Sequence, residues 1–249
     1  MRRAIRKDEI LDILRRYNYV TVEYLSSVLY ISQASVRRDL AVMESQGLVR
    51  RSHGGVHSVE DNNILTPHSI RMHENSVAKR IICQKAIELV SDGDFVFIDG
   101  STTCLYLPEL LQAKKNLTIL TNSIKLASMF DDKNNITVYC TGGQIRLNEN
   151  VSYGSIAEHT CKFMHTNLMF FSARAIDENG IITDFNEPET AIRRIAMQNT
   201  EHAVFLCDST KFNKHSAFTV CHAKDIAHIV TDTLPDEETV ERWRAKSVI

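Results

Sequence analysis

Hydrophobic positions in the first fifty residues recur at helical spacing; beyond residue 94 they gather into short continuous runs. Ile10, Ile13, Leu14 and Tyr17 form the i, i+3, i+4, i+7 stripe of an amphipathic helix. Tyr17-Asn18-Tyr19 ends it. Thr21 is a candidate N-cap for a second helix, with Val22, Leu25, Val28 and Leu29 as its buried side. Tyr30-Ile31 reads as a turn. Ser32 then caps a third helix that turns Val36, Leu40 and Met43 inward, and Gly47 stops it. Leu48-Val49-Arg50-Arg51 is β-compatible, and His53-Gly54-Gly55-Val56-His57 reads as a hairpin turn with its return strand. Three helices followed by a two-stranded ribbon predict an α+β winged helix-turn-helix over residues 1–57.

Residues 58–76 are polar, contain Asp61-Asn62-Asn63 and Pro67, and show no sustained period, as a partly ordered linker does. Ile70 and Met72 are expected to pack locally. From residue 77 to 249 helices alternate with apolar runs. Ile82, Ala86, Leu89 and Val90 stripe a helix. The runs are Phe95-Val96-Phe97-Ile98, Leu117-Thr118-Ile119-Leu120, Ile136-Thr137-Val138-Tyr139, Leu168-Met169-Phe170-Phe171, Ala203-Val204-Phe205-Leu206 and Ile229-Val230. Continuous apolar strands are the mark of a parallel sheet buried on both faces. Helices are expected from Ile124 to Phe130 and from Pro188 to Met197, giving an α/β domain with a mostly parallel sheet. Pro108 would kink a helix after Thr103 unless it falls in the first turn.

Polar loops follow these runs. Asp99, Ser101, Thr102 and Thr103 come after the first, Thr121, Asn122 and Ser123 after the second, and Gly142, Gly143 and Arg146 after the third. Open α/β sheets bind ligands at the carboxyl ends of their strands. Hydroxyls, glycine-exposed N–H groups and helix N-termini there suit an anion such as phosphate. Any one of these loops is explained by ordinary turn chemistry; three on consecutive strands favour a pocket. Later loops add Arg174 and Lys211, suited to a phosphate or carboxylate, and Asp184, Asn186 and Glu189, which with Asp99 suit sugar hydroxyls.

Composition excludes several classes. Hydrophobic content of 43% and charged content of 24% are ordinary for a soluble globular protein. No run is long enough for a membrane span, and no apolar signal-peptide region follows the basic N-terminus; the cytoplasmic expectation comes from the cysteines. Cys83, Cys104, Cys140, Cys161, Cys207 and Cys221 are scattered without a CxxC pair, arguing for reduced thiols. Cys104 and Cys207 lie beside the expected pocket, but no base is paired with them, and they read as small buried thiols. His53 and His57 lack the helical spacing of a metal pair, because a Gly-Gly turn separates them, and His215 and His222 stand out no further. Neither a metal nor a cofactor is implied. Charge is uneven: residues 1–58 hold 10 Lys/Arg against 6 Asp/Glu, and the remainder holds 19 against 25. A basic head on an acidic body fits nucleic-acid binding by the head.

The stretch VTVEYLSSVLYISQASVRRDLAVMESQGLVRRSHGG resembles the N-terminal domain of DeoR-type bacterial transcription regulators. The Val-Arg-Arg-Asp-Leu core, the Gly-Leu-Val-Arg-Arg strand and the His-Gly-Gly wing carry the likeness, which implies sequence-specific binding to double-stranded operator DNA. Asp-Gly-Ser-Thr-Thr, Thr-Asn-Ser, the Gly142-Gly143 pair and Asp-Ser-Thr-Lys-Phe resemble the same family's sensor domain, itself similar to ribose-5-phosphate isomerases and related sugar-binding folds. That implies a phosphorylated sugar or related metabolite as effector. Ser101 and Ala175 stand where the family often has glycine.

Within the head, Gln33, Ser35, Arg37 and Arg38 are candidates for base edges or nearby phosphates, since arginine pairs bidentately with guanine and glutamine with adenine. Ser32 opens that helix. Arg50, Arg51 and His53 suit the backbone or minor groove, and Thr21 a phosphate. Asp39 reads as structural, because an acid on a DNA face repels phosphate. The leading expectation is a repressor of carbohydrate metabolism acting as a dimer or tetramer. The rivals are a sugar-phosphate isomerase or hydrolase carrying a DNA-binding head, with Asp99, Asp184, Glu189 and Lys211 moving protons, and a constitutive DNA-binding module whose body only oligomerises.

Overall fold

The computed structural model describes residues 2–17, 19–46, 48–52, 55–58, 68–72, 74–131 and 133–245. The chain forms two compact units, Met1–Glu74 and Asn75–Ile249.

The first unit contains α1 (Arg2–Tyr17), β1 (Tyr19–Thr21), α2 (Val22–Val28), α3 (Gln33–Ser45), β2 (Val49–Ser52), β3 (Gly55–Ser58) and a short helix α4 (His68–Arg71). Both expected N-caps form. The Thr21 hydroxyl accepts from the Tyr24 N–H at 3.0 Å, and the Ser32 hydroxyl from the Ser35 N–H at 3.3 Å. Ile10 and Leu14 of α1, Val22 and Leu25 of α2, and Val36, Leu40 and Met43 of α3 share one core with Val20, Val49 and Val56. Val28 departs from its expected place and is exposed, while Leu29 beside it packs on the core.

The wing has three strands, not two, in the order β1-β3-β2. Tyr19 pairs with His57 and Thr21 with Gly55, all antiparallel. Three residues squeezed between two helices show no period of their own, so the hydrophobic pattern does not mark β1. Within the expected linker 58–76, α4 occupies 68–71 and the next helix opens at Ser76; residues 59–67 and 73 lie outside the described ones. Gly47, His53 and Gly54 also lie outside them.

The second unit begins with α5 (Ser76–Ala86), β4 (Phe95–Ile98), α6 (Leu107–Leu111), β5 (Thr118–Thr121), α7 (Ile124–Ala127) and β6 (Thr137–Cys140). A hairpin of β7 (Gln144–Arg146) and β8 (Val151–Tyr153) follows, then α8 (Ser155–Phe163), β9 (Thr166–Phe171), β10 (Ala175–Ile176) and β11 (Ile181–Asp184). The chain continues through α9 (Glu187–Gln198), β12 (Thr200–Leu206), β13 (Phe218–His222), β14 (His228–Val230) and α10 (Glu237–Ala245). All six apolar runs became strands of one sheet, ordered β14-β12-β9-β4-β5-β6, and every pairing in it is parallel.

Phe97, Met169, Phe171 and Phe205 of this sheet pack with Ile192 of α9 and Trp243 of α10 in one buried cluster. A second, antiparallel sheet β10-β11-β13 lies outside the expected pattern. Pro108 sits in the first turn of α6, where its missing N–H costs nothing, so there is no kink. α7 stops at Ala127, short of the expected Phe130, and α5 stops at Ala86 before a 3-10 turn over Ile87–Leu89.

Candidate functional site

On α3 the buried stripe leaves Gln33, Arg37 and Arg38 exposed on the outer side, with Ser35 half-buried near the N-terminus. The Arg37 guanidinium donates to Gln33 Oε1 at 3.1 Å, one helical turn away. Such an exposed contact is worth little in water, so both side chains can exchange it for a base edge. Asp39 faces inward and accepts from Arg6 of α1 at 3.1 Å, which ties two helices together and keeps its charge off the outer face. Arg51 lies 3.6 Å from Glu44, with both side chains about 42% exposed. Thr21 has its hydroxyl committed to the α2 cap. Arg50 lies on β2.

In the second unit the chain runs outward from β4 through β5 to β6, then returns to build β9, β12 and β14 on the other side. The order therefore reverses between β4 and β9. A crevice opens at the carboxyl ends of strands at such a switch point. Asp99 and Ser172, the first residues past those two strands, meet there: the Ser172 N–H donates to Asp99 Oδ2 at 3.4 Å.

Two lysines flank this point. Lys211 Nζ donates to the Ser172 hydroxyl at 2.8 Å and lies 3.6 Å from Asp208 Oδ2. Lys79 of α5 is only 4% exposed, and its Nζ donates to the Thr102 hydroxyl at 3.3 Å. Burial pushes the Asp208 carboxyl up, but Lys211, Thr210 and Lys79 outweigh it and hold Asp208 below its usual range. Both cations thus act on one carboxylate. Lys79 was not among the expected residues. The signal was present: Lys79, Ile82, Cys83 and Ala86 fall at i, i+3, i+4, i+7, so the stripe extended one turn back lands on the lysine.

The neighbouring loops are locked by their own bonds. The Gly100 N–H donates to Asn122 Oδ1 at 2.9 Å, and Asn122 Nδ2 to the Ser152 carbonyl at 3.3 Å. A Cβ at Gly100 would lie 2.3 Å from Val151, so glycine is what admits the hairpin. Thr121 accepts from the Ser123 N–H, and Ser123 caps α7. Ser101 accepts from the Cys104 N–H at 3.4 Å, and Thr103 is buried. Gly142 and Gly143 are exposed with positive φ, as the turn into β7 requires; a Cβ at Gly143 would lie 2.6 Å from the Tyr153 carbonyl. Arg174 is exposed just past β9.

The acidic candidates converge on a residue that the pattern did not single out. Arg193 of α9 is buried, with Nε 2.7 Å from Asp99 Oδ2, one Nη 2.7 Å from Asp184 Oδ2 and the other 3.3 Å from Glu189 Oε2. Asp99, Asp184 and Glu189 therefore hold this guanidinium, where the sequence suggested sugar hydroxyls. Arg146 of β7 reaches the same cluster, 3.3 Å from Glu189 and 3.5 Å from Asn186 Oδ1, and so clips the hairpin to the start of α9. Burial pushes Glu189 up to about 7; Arg193 opposes that, while Glu149 and Asp184 reinforce it. Arg193 too lies on a core stripe, Glu189, Ile192, Arg193, Ala196. Burial raises the Cys207 thiol to about 12 and Cys104 well above its usual value, so neither is a thiolate nucleophile. Among the described residues no cluster of metal-ligating side chains forms.

A winged helix with an arginine-bearing outer face, joined in one chain to an α/β unit with cations at its switch point, defines a DNA-binding regulator with a sensor unit. Residues 6–62 match the DeoR-like helix-turn-helix domain and residues 74–233 the DeoR C-terminal sensor domain. The chain belongs to the DeoR family of transcription regulators. It is 32% identical over 232 residues to the L-fucose operon activator of Haemophilus influenzae, covering 93% of each chain. It is 29% identical over 252 residues to the lactose phosphotransferase system repressor of Lactococcus lactis, covering 100% of this chain and 98% of that protein. Among solved structures, ribose-5-phosphate isomerase A from Neisseria gonorrhoeae aligns with 54% of this chain and 52% of its own, at 18% identity and a TM-score of 0.39.

Proposed function

We propose that this regulator represses a carbohydrate-metabolism operon in the cytoplasm, and that a phosphorylated sugar binding at the switch point alters its grip on operator DNA. The observation that carries the reading is the pair Lys79 and Lys211 beside the Thr102 and Ser172 hydroxyls, at the carboxyl ends of β4, β9 and β12. Two ammonium groups converging on one strand-end crevice suit a phosphate dianion. The relative matched along the whole chain is named as a lactose-system repressor, which supports repression and a sugar signal. Paired heads on a palindromic operator require a dimer or tetramer, with half-sites about 34 Å apart or multiples of that. Among the described residues no helix is long and apolar enough to cross a membrane.

The sugar must bind one arrangement of the heads better than the other, or it shifts nothing. A coupling of about 1–3 kcal/mol changes operator affinity about 5- to 150-fold. A catalytic reading draws on Glu189, whose value near 7 suits a general base. Against it, Glu189 is held between Arg146 and Arg193, and Asp99 and Asp184 are bound to Arg193. Thermal unfolding followed by Trp243 fluorescence, with a panel of phosphorylated sugars, tests the site. A bound sugar raises the midpoint, and Lys79→Met and Lys211→Met abolish the rise. If no phosphorylated sugar moves the wild-type midpoint, the sensor reading fails; turnover of a bound sugar would favour the enzyme.

A further inference from the structure

Seven non-glycine residues among the described ones take a positive φ. Six are asparagines: Asn75, Asn116, Asn134, Asn135, Asn150 and Asn213. Glycine and asparagine tolerate this left-handed region best: glycine has no Cβ to crowd the following carbonyl, and asparagine offsets the crowding by local hydrogen bonding of its short polar side chain. The seventh is Tyr30, at φ 52°. It sits one residue past the C-cap of α2, where helices favour glycine. The Ile31 N–H donates to the Ser26 carbonyl at 3.2 Å and the Ser26 hydroxyl to the Ile31 carbonyl at 2.6 Å, so the turn is closed from both sides. Leu29 and Ile31 pack on the head core, while Tyr30 between them is 94% exposed.

The strain at Tyr30 is therefore not offset by burial of its ring. An aromatic kept in a disfavoured backbone conformation and in water, two residues before the N-cap of α3, points to a partner. We propose that Tyr30 contacts DNA, its hydroxyl donating to a backbone phosphate beside the groove that α3 enters. Tyrosine hydroxyls are among the groups that position proteins on phosphates without reading sequence. The inference rests on the head binding DNA and adds a contact outside α3 and the wing.

The test uses the full chain, a duplex it selects from a randomised library, and an unrelated duplex of equal length. Tyr30→Asn supplies the residue this chain uses at its other left-handed positions, and Tyr30→Gly removes the side chain altogether. Both are expected to raise the unfolding midpoint of the head, Tyr30→Asn by about 4–8 °C. Both should weaken binding to the two duplexes equally, by about 3- to 10-fold per head. Tyr30→Phe should lose as much as Tyr30→Asn, because the hydroxyl is the donor. The slope of log affinity against log salt should not change, since a neutral donor releases no counterion. Wild-type affinity in Tyr30→Asn and Tyr30→Gly overturns the inference while leaving DNA binding intact. So does a loss traced by sedimentation to weaker self-association. A wild-type chain that selects no duplex overturns both readings.

Discussion

Replacing Arg193 by methionine removes the one group on which Asp99, Asp184 and Glu189 converge. Its side chain is 4% exposed, and those of Asp99 and Asp184 are 1% and 7% exposed, so the carboxylates left behind cannot be rescued by bulk water. Breaking a buried ion pair by deleting one partner costs about 3–5 kcal/mol, because the remaining charge is stranded. For a unit the size of 75–249, each kcal/mol moves the midpoint by about 2–4 °C, so a fall of roughly 6–20 °C is expected. Trp243 is the chain's single tryptophan, is buried, and lies in this unit, so its fluorescence follows the right transition. Acid should narrow the deficit, because Glu189, left without the guanidinium that opposes its burial, is protonated there and part of the penalty goes: the loss at pH 5 should be smaller than at pH 8. Adding Asp99→Asn and Asp184→Asn should restore part of the midpoint. A fall below about 3 °C, or a deficit identical at both pH values, would refute a guanidinium neutralising a buried acidic cluster.

Glu189 gives the wild type its own pH dependence. Its folded value of about 7 lies above the ordinary 4.5, so the native state holds an extra proton between the two. Stability should fall as pH rises through that window, by at most about 3 kcal/mol, and Glu189→Gln should flatten the decline in a urea titration series. In the head, Arg37→Ala or Arg38→Ala should weaken binding to a selected duplex by about 1–3 kcal/mol while sparing unrelated DNA, if that arginine reads a base. Equal losses on both duplexes, in an anisotropy titration, would reassign it to phosphate.

The six central strands were legible because each is a short, continuous apolar run, which a buried parallel strand requires. The head was legible because caps and stripes agree. Shorter or more exposed elements were not: β1 has three residues between two helices, and the β7–β8 hairpin carries the exposed Ile145 and half-buried Arg146, so no alternation marks it. The acidic pocket residues were found by type, but their roles turned on Arg193. Residue type alone does not tell Arg193 from Arg194. Only the fold shows that the first arginine faces three carboxylates while the second is exposed. Lys79 escaped for the same reason: a lysine at the edge of a stripe is ordinarily a surface residue, whereas this one is buried and bonded to the Thr102 hydroxyl.

The most direct measurement is the affinity of the full chain for a selected operator duplex, by anisotropy at fixed salt, with and without the phosphorylated sugar that raises its unfolding midpoint. A change of about 5- to 150-fold is expected in the wild type, and none in Lys79→Met or Lys211→Met. Equal operator affinity with the sugar site empty and saturated would contradict a sensor that controls the head.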